Sequence, residues 1–365
     1  MISYIRPVFS FKEYVGCFIY RRKKAAESLM ELRRRGAKFL YVREKQRYCL
    51  SSFLRDIGWR KEKILMPAYT CSSLDDAVRD SGNIPLFYDI TDDFKVDLFS
   101  LKKEAQKGIK AIIISDVYGI RMDIAEYLSS VVEKPLIIAD YAHHESLDFD
   151  SDNRRYLDVA IFSSAYYKPI SSSGVGILAV ISNQVSAKDS VYIDDSFWAS
   201  LIDNLKLFAV NFLLRSRLLK YVYRVSKHNK EAGFDRSRPA TLVSLSHINK
   251  FFLPHDKTDR VRLNDLLKEK FRFFNPIQPL NIHKTYFSIV VGEMQKEAIH
   301  SMCLKKGVLL GNIFGVIAGK DSGHCPNALH YSKRVLNLPF LREGSLRDEE
   351  KMISTILEVI ADDSI

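Results

Sequence analysis

Apolar residues along this chain follow two rhythms. Short unbroken runs, closed by polar or glycine turns, occur at residues 39–42 (FLYV), 64–66 (ILM), 84–90 (IPLFYDI), 110–115 (KAIIIS), 135–139 (PLIIA), 159–162 (VAIF) and 176–181 (GILAVI). Such runs predict buried strands. Amphipathic stretches of helical period lie between them: 20–38, closed near Gly36, then 48–57, a segment after residue 70 with Thr70, Ser72 and Ser73 as candidate caps, 98–107 and 123–132. This alternation predicts a mainly parallel sheet covered on both faces, joined by right-handed crossovers.

Beyond residue 181 the pattern changes. Residues 197–228 carry a long apolar and aromatic pattern with regularly placed polar positions, which predicts a bent or broken helix. The polar stretch 227–239 reads as a linker or exposed loop. From residue 240 come helices at 246–252, 259–273, 294–305 and 347–360, with strands within 281–292 and 331–339. The expected fold class is α/β. Residues 1–235 form a large domain that includes the long helical region, and residues 236–365 form a smaller C-terminal α+β domain.

Composition narrows the class. Of 365 residues, 47% are apolar and 27% charged, the balance of a folded globular protein rather than a disordered one. Fifty-five basic against 44 acidic residues leave a net charge of +11. That excess suits an anionic substrate, but it is dispersed and accompanies no recognisable nucleic-acid module, so no nucleic-acid partner is expected. The basic stretch 215–230 is compatible with a peripheral membrane contact, yet no uncharged run is long enough for a transmembrane segment. Cys17, Cys49, Cys71, Cys303 and Cys325 are widely spaced and form no CxxC pair, which argues against a zinc site or a disulfide scaffold. Without a signal-peptide pattern, a cytoplasmic protein with reduced thiols is expected.

The chemistry gathers between residues 135 and 180. Asp140 ends one predicted strand and His143 follows three residues later; Ser163 and Ser164 end the next, and Lys168 lies between aromatic residues and a proline. Strand ends of an open α/β sheet are where ligands bind. A lysine there can form a Schiff base, and an aspartate can pair with a positively charged ring nitrogen. Ser163 and Ser164 are candidate phosphate ligands, as is Arg47 beside a helix start. Tyr69 is a candidate to stack on a planar ligand, with core packing as the alternative. Taken singly, Lys168 reads as a surface lysine, Asp140 as a cap and His143 as a loop histidine; their common position favours a cofactor site.

Several segments in order carry a resemblance: MPAYTC at 66–71, IPLFYDI at 84–90, KAIIISDVYG at 110–119, ADYAHH at 139–144, FSSAYYK at 162–168 and VLNLPFLREGSLRDEEKMISTILEVI at 335–360. In these the chain resembles the DegT/DnrJ/EryC1/StrS sugar-aminotransferase family of fold-type-I pyridoxal-phosphate enzymes. The resemblance implies an aspartate-aminotransferase-like large domain with pyridoxal 5'-phosphate as cofactor. By it, Lys168 is the Schiff-base lysine, Asp140 holds the pyridinium nitrogen, His143 lies against the ring or its phenolic side, and Ser163 binds phosphate. Arg47 and Tyr48 occupy the phosphate-loop segment and Cys71 the place of a stacking aromatic. The chain departs from the family in Gln46-Arg47, in Cys71, in PISSSGVG, and in lacking a recognisable asparagine-bearing segment after the lysine. The implied reaction transfers an amine from an amino acid, often glutamate in this family, to a keto-sugar nucleotide, in a homodimer. A small amino or keto substrate, lyase or dehydratase chemistry, and a non-catalytic scaffold are the competing readings.

Overall fold

The computed structural model describes residues 2–3, 10–144, 147, 156–165, 168–170, 172–215, 238–252, 288–338 and 346–361. Strand β1 (Ile2–Ser3) is followed by helices α1 (Phe11–Ile19) and α2 (Arg21–Arg34). The sheet then begins, with β2 (Phe39–Arg43), α3 (Gln46–Asp56), β3 (Lys63–Pro67), α4 (Ser72–Asp80), β4 (Ile84–Tyr88), α5 (Leu98–Ala105) and β5 (Ala111–Ser115). A short helix α6 (Ala125–Ser129) precedes β6 (Leu136–Asp140), β7 (Val159–Ser164), β8 (Val175–Val180) and β9 (Ser190–Val191). Every residue of β5, β6 and β8 is buried, as expected of strands covered on both faces.

These strands form one eight-stranded sheet in the order β4-β3-β5-β6-β7-β8-β2-β9. All pairs are parallel except β8, which runs antiparallel to both β7 and β2. The mainly parallel sheet flanked by helices agrees with the expected large domain. Helix α1 was not anticipated, although its Ser10–Glu13 capping box is written in the sequence as SFKE. Helix α3 begins two residues earlier than residue 48, so Gln46 and Arg47 lie in its first turn. Thr70, Ser72 and Ser73 do not cap α4; its N-cap is Cys71, which makes no side-chain cap bond.

Helix α7 (Phe197–Arg215) matches the start of the predicted long helix. Its continuation through 228, most of the 227–239 linker, the basic stretch beyond residue 215 and the 259–273 helix lie outside the described residues. Next come α8 (Leu242–Ile248) and, further on, β12 (Ser288–Val290), α9 (Lys296–Lys305), β13 (Val308–Leu309), α10 (Pro326–Ser332), β14 (Val335–Asn337) and α11 (Leu346–Ile360), after the short parallel pair β10 (Ile193–Asp194) and β11 (Ala240–Thr241). Ile289, Ile299, Cys303, Val308, Leu336, Met352 and Ile356 build a second core of their own. Ala240, Leu245, Ile248 and Phe251, however, pack into the core of the large sheet, as do Phe314, Ile317 and Ala328. Strand β1, from the start of the chain, pairs in parallel with β13.

The segment after β13 is fastened to the sheet edge. Ala318 and Gly319 donate backbone N–H bonds to the carbonyls of Thr70 and Ala68 (3.0 and 3.1 Å). The Asp89 carboxylate, at the end of β4, accepts from Asn327 N–H (2.9 Å) and Ala328 N–H (2.8 Å) at the start of α10. A side chain at Gly319 would put its Cβ 2.4 Å from that of Ala68, so the close approach requires glycine. Residues 312–314 are thereby brought over the C-terminal ends of the strands.

His247 in α8 is fully buried and meets Tyr14 of α1 edge-on, ring centroids 6.1 Å apart. Burial, with the charge of Lys24 as a lesser cause, pushes its pKa down from 6.5 to about 3. Between those values the unfolded chain binds a proton that the native state refuses, so stability is lost as pH falls from 6.5 toward 3. Replacing His247 with Phe should flatten this part of a plot of urea midpoint against pH. An equally steep acid limb in His247→Phe would show that the histidine does not cause it.

Candidate active site

At the C-terminal edge of the sheet lies a cleft of about 330 Å³ lined by Gln46, Thr70, Cys71, Ser73, Ser115, Asp140, Ala142, His143, Ser163, Lys168 and residues 312–314. Asp140 is the last residue of β6, and Ser115 is the last of the neighbouring β5, with which it is in register. Oδ2 of Asp140 accepts from Ser115 Oγ (2.9 Å), and Oδ1 accepts from Gln46 Nε2 (2.6 Å) and Ala142 N (3.0 Å). Ser115 in turn accepts from Thr70 Oγ1 (3.0 Å), a residue expected to cap a helix that instead turns inward. Burial pushes the Asp140 pKa up, against the opposing effects of Lys168 and these donors. Lys168 moves the other way: loss of solvent lowers its pKa, opposed by Cys71 and Asp140. An amine with a lowered pKa has more of its neutral, nucleophilic form at neutral pH.

His143 is buried and its Nδ1 accepts from the backbone N–H of Tyr118 (3.0 Å). With Nδ1 as acceptor, the neutral ring carries its proton on Nε2. Burial, then the charges of Lys168 and His144, hold the His143 pKa well below 6.5, so the ring is neutral at physiological pH. Tyr118 donates from a left-handed conformation (φ 58°, ψ 18°), an observed strain beside the cleft. Its ring stacks with His143 (6.1 Å, 22°), and Phe314 approaches the same imidazole (5.4 Å, 37°). Ser163 lines the cleft, whereas Ser164, one residue along β7, points away and bonds Ser172 Oγ (2.6 Å) and Val175 O (3.0 Å). The alternation of a strand explains that split.

Three expected cofactor contacts do not line the cleft. Arg47 and Tyr48 are buried within the protein, with the Arg47 guanidinium 5.5 Å over the Tyr48 ring. Successive helix residues point about 100° apart, and the cleft-facing position of α3 falls to Gln46. Tyr69 is fully buried, its hydroxyl bonded to that of Tyr118 (2.8 Å) and its ring packed on Phe94 and Phe314. It belongs to an aromatic wall behind the cleft, so the packing alternative describes it. Cys71 does line the cleft and is exposed, with its sulfur accepting from Ser73 Oγ (3.0 Å). The other four cysteines are free and buried.

Gln46, Thr70, Ser115 and residues 312–314 escaped the sequence reading. Residues 312–314 are held by Asn337 of β14, whose Oδ1 accepts from Ile313 N (3.0 Å) while its backbone exchanges two bonds with Gly311 (2.7 and 2.8 Å).

Residues 50–189, which hold most of this constellation, match the family model of the DegT/DnrJ/EryC1/StrS aminotransferase family. The match is confined to these residues, and over them the chain is similar to that family. That family is one of pyridoxal-phosphate-dependent aminotransferases of fold type I. Among curated proteins, no match to the chain is found by sequence. Solved structures show the same fold at low identity. NtdA from Bacillus subtilis, with bound cofactor PMP, has a TM-score of 0.66 at 16% identity, over 96% of this chain and 83% of that one. A DegT DnrJ EryC1 StrS aminotransferase from Brucella abortus gives 0.67 at 14%, over 96% of both chains. PseC from Helicobacter pylori, an aminotransferase involved in the biosynthesis of pseudoaminic acid, gives 0.69 at 14%, over 98% of both.

The contact between β8 and the start of α3 sets the cleft wall. A Cβ on Gly176 would lie 2.1 Å from Gln46 N and 2.2 Å from Lys45 C, both backbone atoms. Gly176→Ala should therefore push α3 back, lowering stability by about 1–3 kcal/mol and loosening the Gln46–Asp140 bond. A denaturant midpoint equal to that of the wild type would refute the close contact.

Proposed function

We propose that the protein is a pyridoxal-phosphate-dependent aminotransferase that moves an amine from an amino acid, glutamate being the expected donor, to a keto-sugar nucleotide. The observation that carries this reading is the sharing of one cleft by Lys168, whose amine is partly stripped of solvent, and Asp140, a buried carboxylate ringed by donors. The residues present fit the cofactor: a cationic ring nitrogen suits Asp140, a phenolic or ring face suits neutral His143, and a phosphate suits Ser163 with the N-terminal turn of α3. When bound, pyridoxal phosphate supplies a carbonyl carbon that condenses with amines and a ring that accepts electrons from the substrate's α-carbon.

Each residue then has a defined duty. Lys168 would hold the cofactor through its amine and would be the base that takes and returns the substrate's α-proton. Asp140 keeps a positive charge on the ring nitrogen. His143, fixed by Tyr118 N–H, offers Nε2–H as a donor. The aromatic wall of Tyr69, Phe94, Tyr118 and Phe314 keeps water from one side of the cleft. The sugar-nucleotide part of the reading is supported by the family resemblance of the sequence, with its model match over residues 50–189, and by a net charge of +11 that favours a diphosphate-bearing acceptor.

A homodimer is part of the same reading. Phe11, Val15 and Ile19 of α1 and Phe197, Trp198, Ile202 and Leu205 of α7 are exposed, with Phe18 and Phe197 rings 5.3 Å apart joining the two helices. Clustered apolar exposure of this kind is what a second copy would cover, and a monomer by sedimentation velocity would contradict it. Among the described residues no helix is long and apolar enough to cross a membrane.

Borohydride reduction of the cofactor-loaded protein should fix a pyridoxyl group on Lys168, located by peptide mass mapping. Lys168→Ala should lose that adduct and the first half-reaction with glutamate; an adduct persisting on another lysine would defeat the assignment. Amine transfer to small keto compounds but never to keto-sugar nucleotides would favour the competing substrate class.

A further inference from the structure

Asp140 ends a strand whose other four residues are Leu136, Ile137, Ile138 and Ala139, all buried, and it is itself only 5% exposed. A carboxylate in that position keeps its charge only if donors replace lost water. Ala142 N–H comes with the turn that follows the strand, and Ser115 is the adjacent residue of the neighbouring strand. The third donor comes from far away in the chain. Gln46 opens α3, 94 positions earlier, and its amide makes the shortest of the three bonds at 2.6 Å. An ionised carboxylate only accepts, so the amide must present its nitrogen rather than its oxygen. Gln46 reaches this point because Gly176 lets the first backbone atoms of α3 lie against β8.

We propose that Gln46 is a positioning residue for Asp140: its amide holds one carboxylate oxygen and so maintains the carboxylate as a charged acceptor for the cofactor's ring nitrogen. This rests on the pyridoxal-phosphate reading above. A neutral donor suits the task. An arginine or lysine in its place would satisfy Asp140 with a full positive charge and compete with the cationic ring for it. A carboxylate in its place would face Asp140 at hydrogen-bond distance, where two like charges cannot both persist and a proton is shared between them.

Gln46→Met and Gln46→Glu test this while preserving side-chain length. The ionisation of Asp140 is read in the apoprotein by carbon-13 NMR of labelled aspartate carboxyls, with Asp140→Asn providing the assignment. Gln46→Met should raise the Asp140 titration by roughly one to two pH units, and Gln46→Glu by more. At a pH below the raised titration, pyridoxal-phosphate affinity should fall in the same order, because there the ionised fraction of Asp140 drops about ten-fold for every pH unit of the rise. A merely space-filling role predicts the reverse order, with the isosteric Gln46→Glu close to wild type. If wild type binds pyridoxal phosphate but the titration in both variants is unchanged, the inference fails alone. If wild type binds none, the functional reading fails and takes with it the role proposed toward the ring nitrogen.

Discussion

The cleft depends on a charge kept at the end of an apolar strand. Asp140 cannot remain ionised among isoleucines without donors, and it draws them from a helix start, a neighbouring strand, and its own turn. Lys168 shares the same desolvated space. Burial drives the acid and the amine toward their neutral forms while their mutual attraction resists. That balance would suit the roles proposed for them, a lysine acting as a nucleophile and a carboxylate holding a cation. It also links cofactor chemistry to packing, because any movement of α3 or β5 alters the donors on Asp140.

The fold supplies this arrangement through a few close contacts. Strand β8, reversed between β7 and β2, carries Gly176 to the start of α3, where no side chain fits. The chain after β13 bonds back onto Ala68, Thr70 and Asp89, and lays Phe314 against His143 and the aromatic wall. Tyr118 adopts a left-handed backbone and aims its N–H at His143 Nδ1. Strain in that loop and the tautomer of the histidine are thus two aspects of one contact.

Some of the site was legible because it lies at strand ends. Asp140, His143, Ser163 and Lys168 follow apolar runs whose ends are marked by the change to polar residues, and all four line one cleft. Arg47, Tyr48 and Tyr69 share neighbouring positions in the sequence with true cleft residues, but sequence adjacency does not say which face a side chain takes. Helical rotation gives the cleft to Gln46, and Tyr69 turns into the wall behind it. Residues 312–314 had no local pattern at all; their place follows from bonds made by Asn337 and Gly319 to distant segments.

Hydrophobic patterning by itself determined the layered α/β architecture and the ends of the central strands, since burial on both faces demands continuous apolar runs whatever their neighbours; the lysine–aspartate pair came from the position of both at strand ends together with the family resemblance. The order of strands, the reversal of β8 and the division between the two cores were decided only in three dimensions. So was the role of Gln46. A glutamine at a helix start has no chemistry that marks it in a sequence, and it acquires one when Gly176 lets that helix approach close enough for the amide to meet a buried charge.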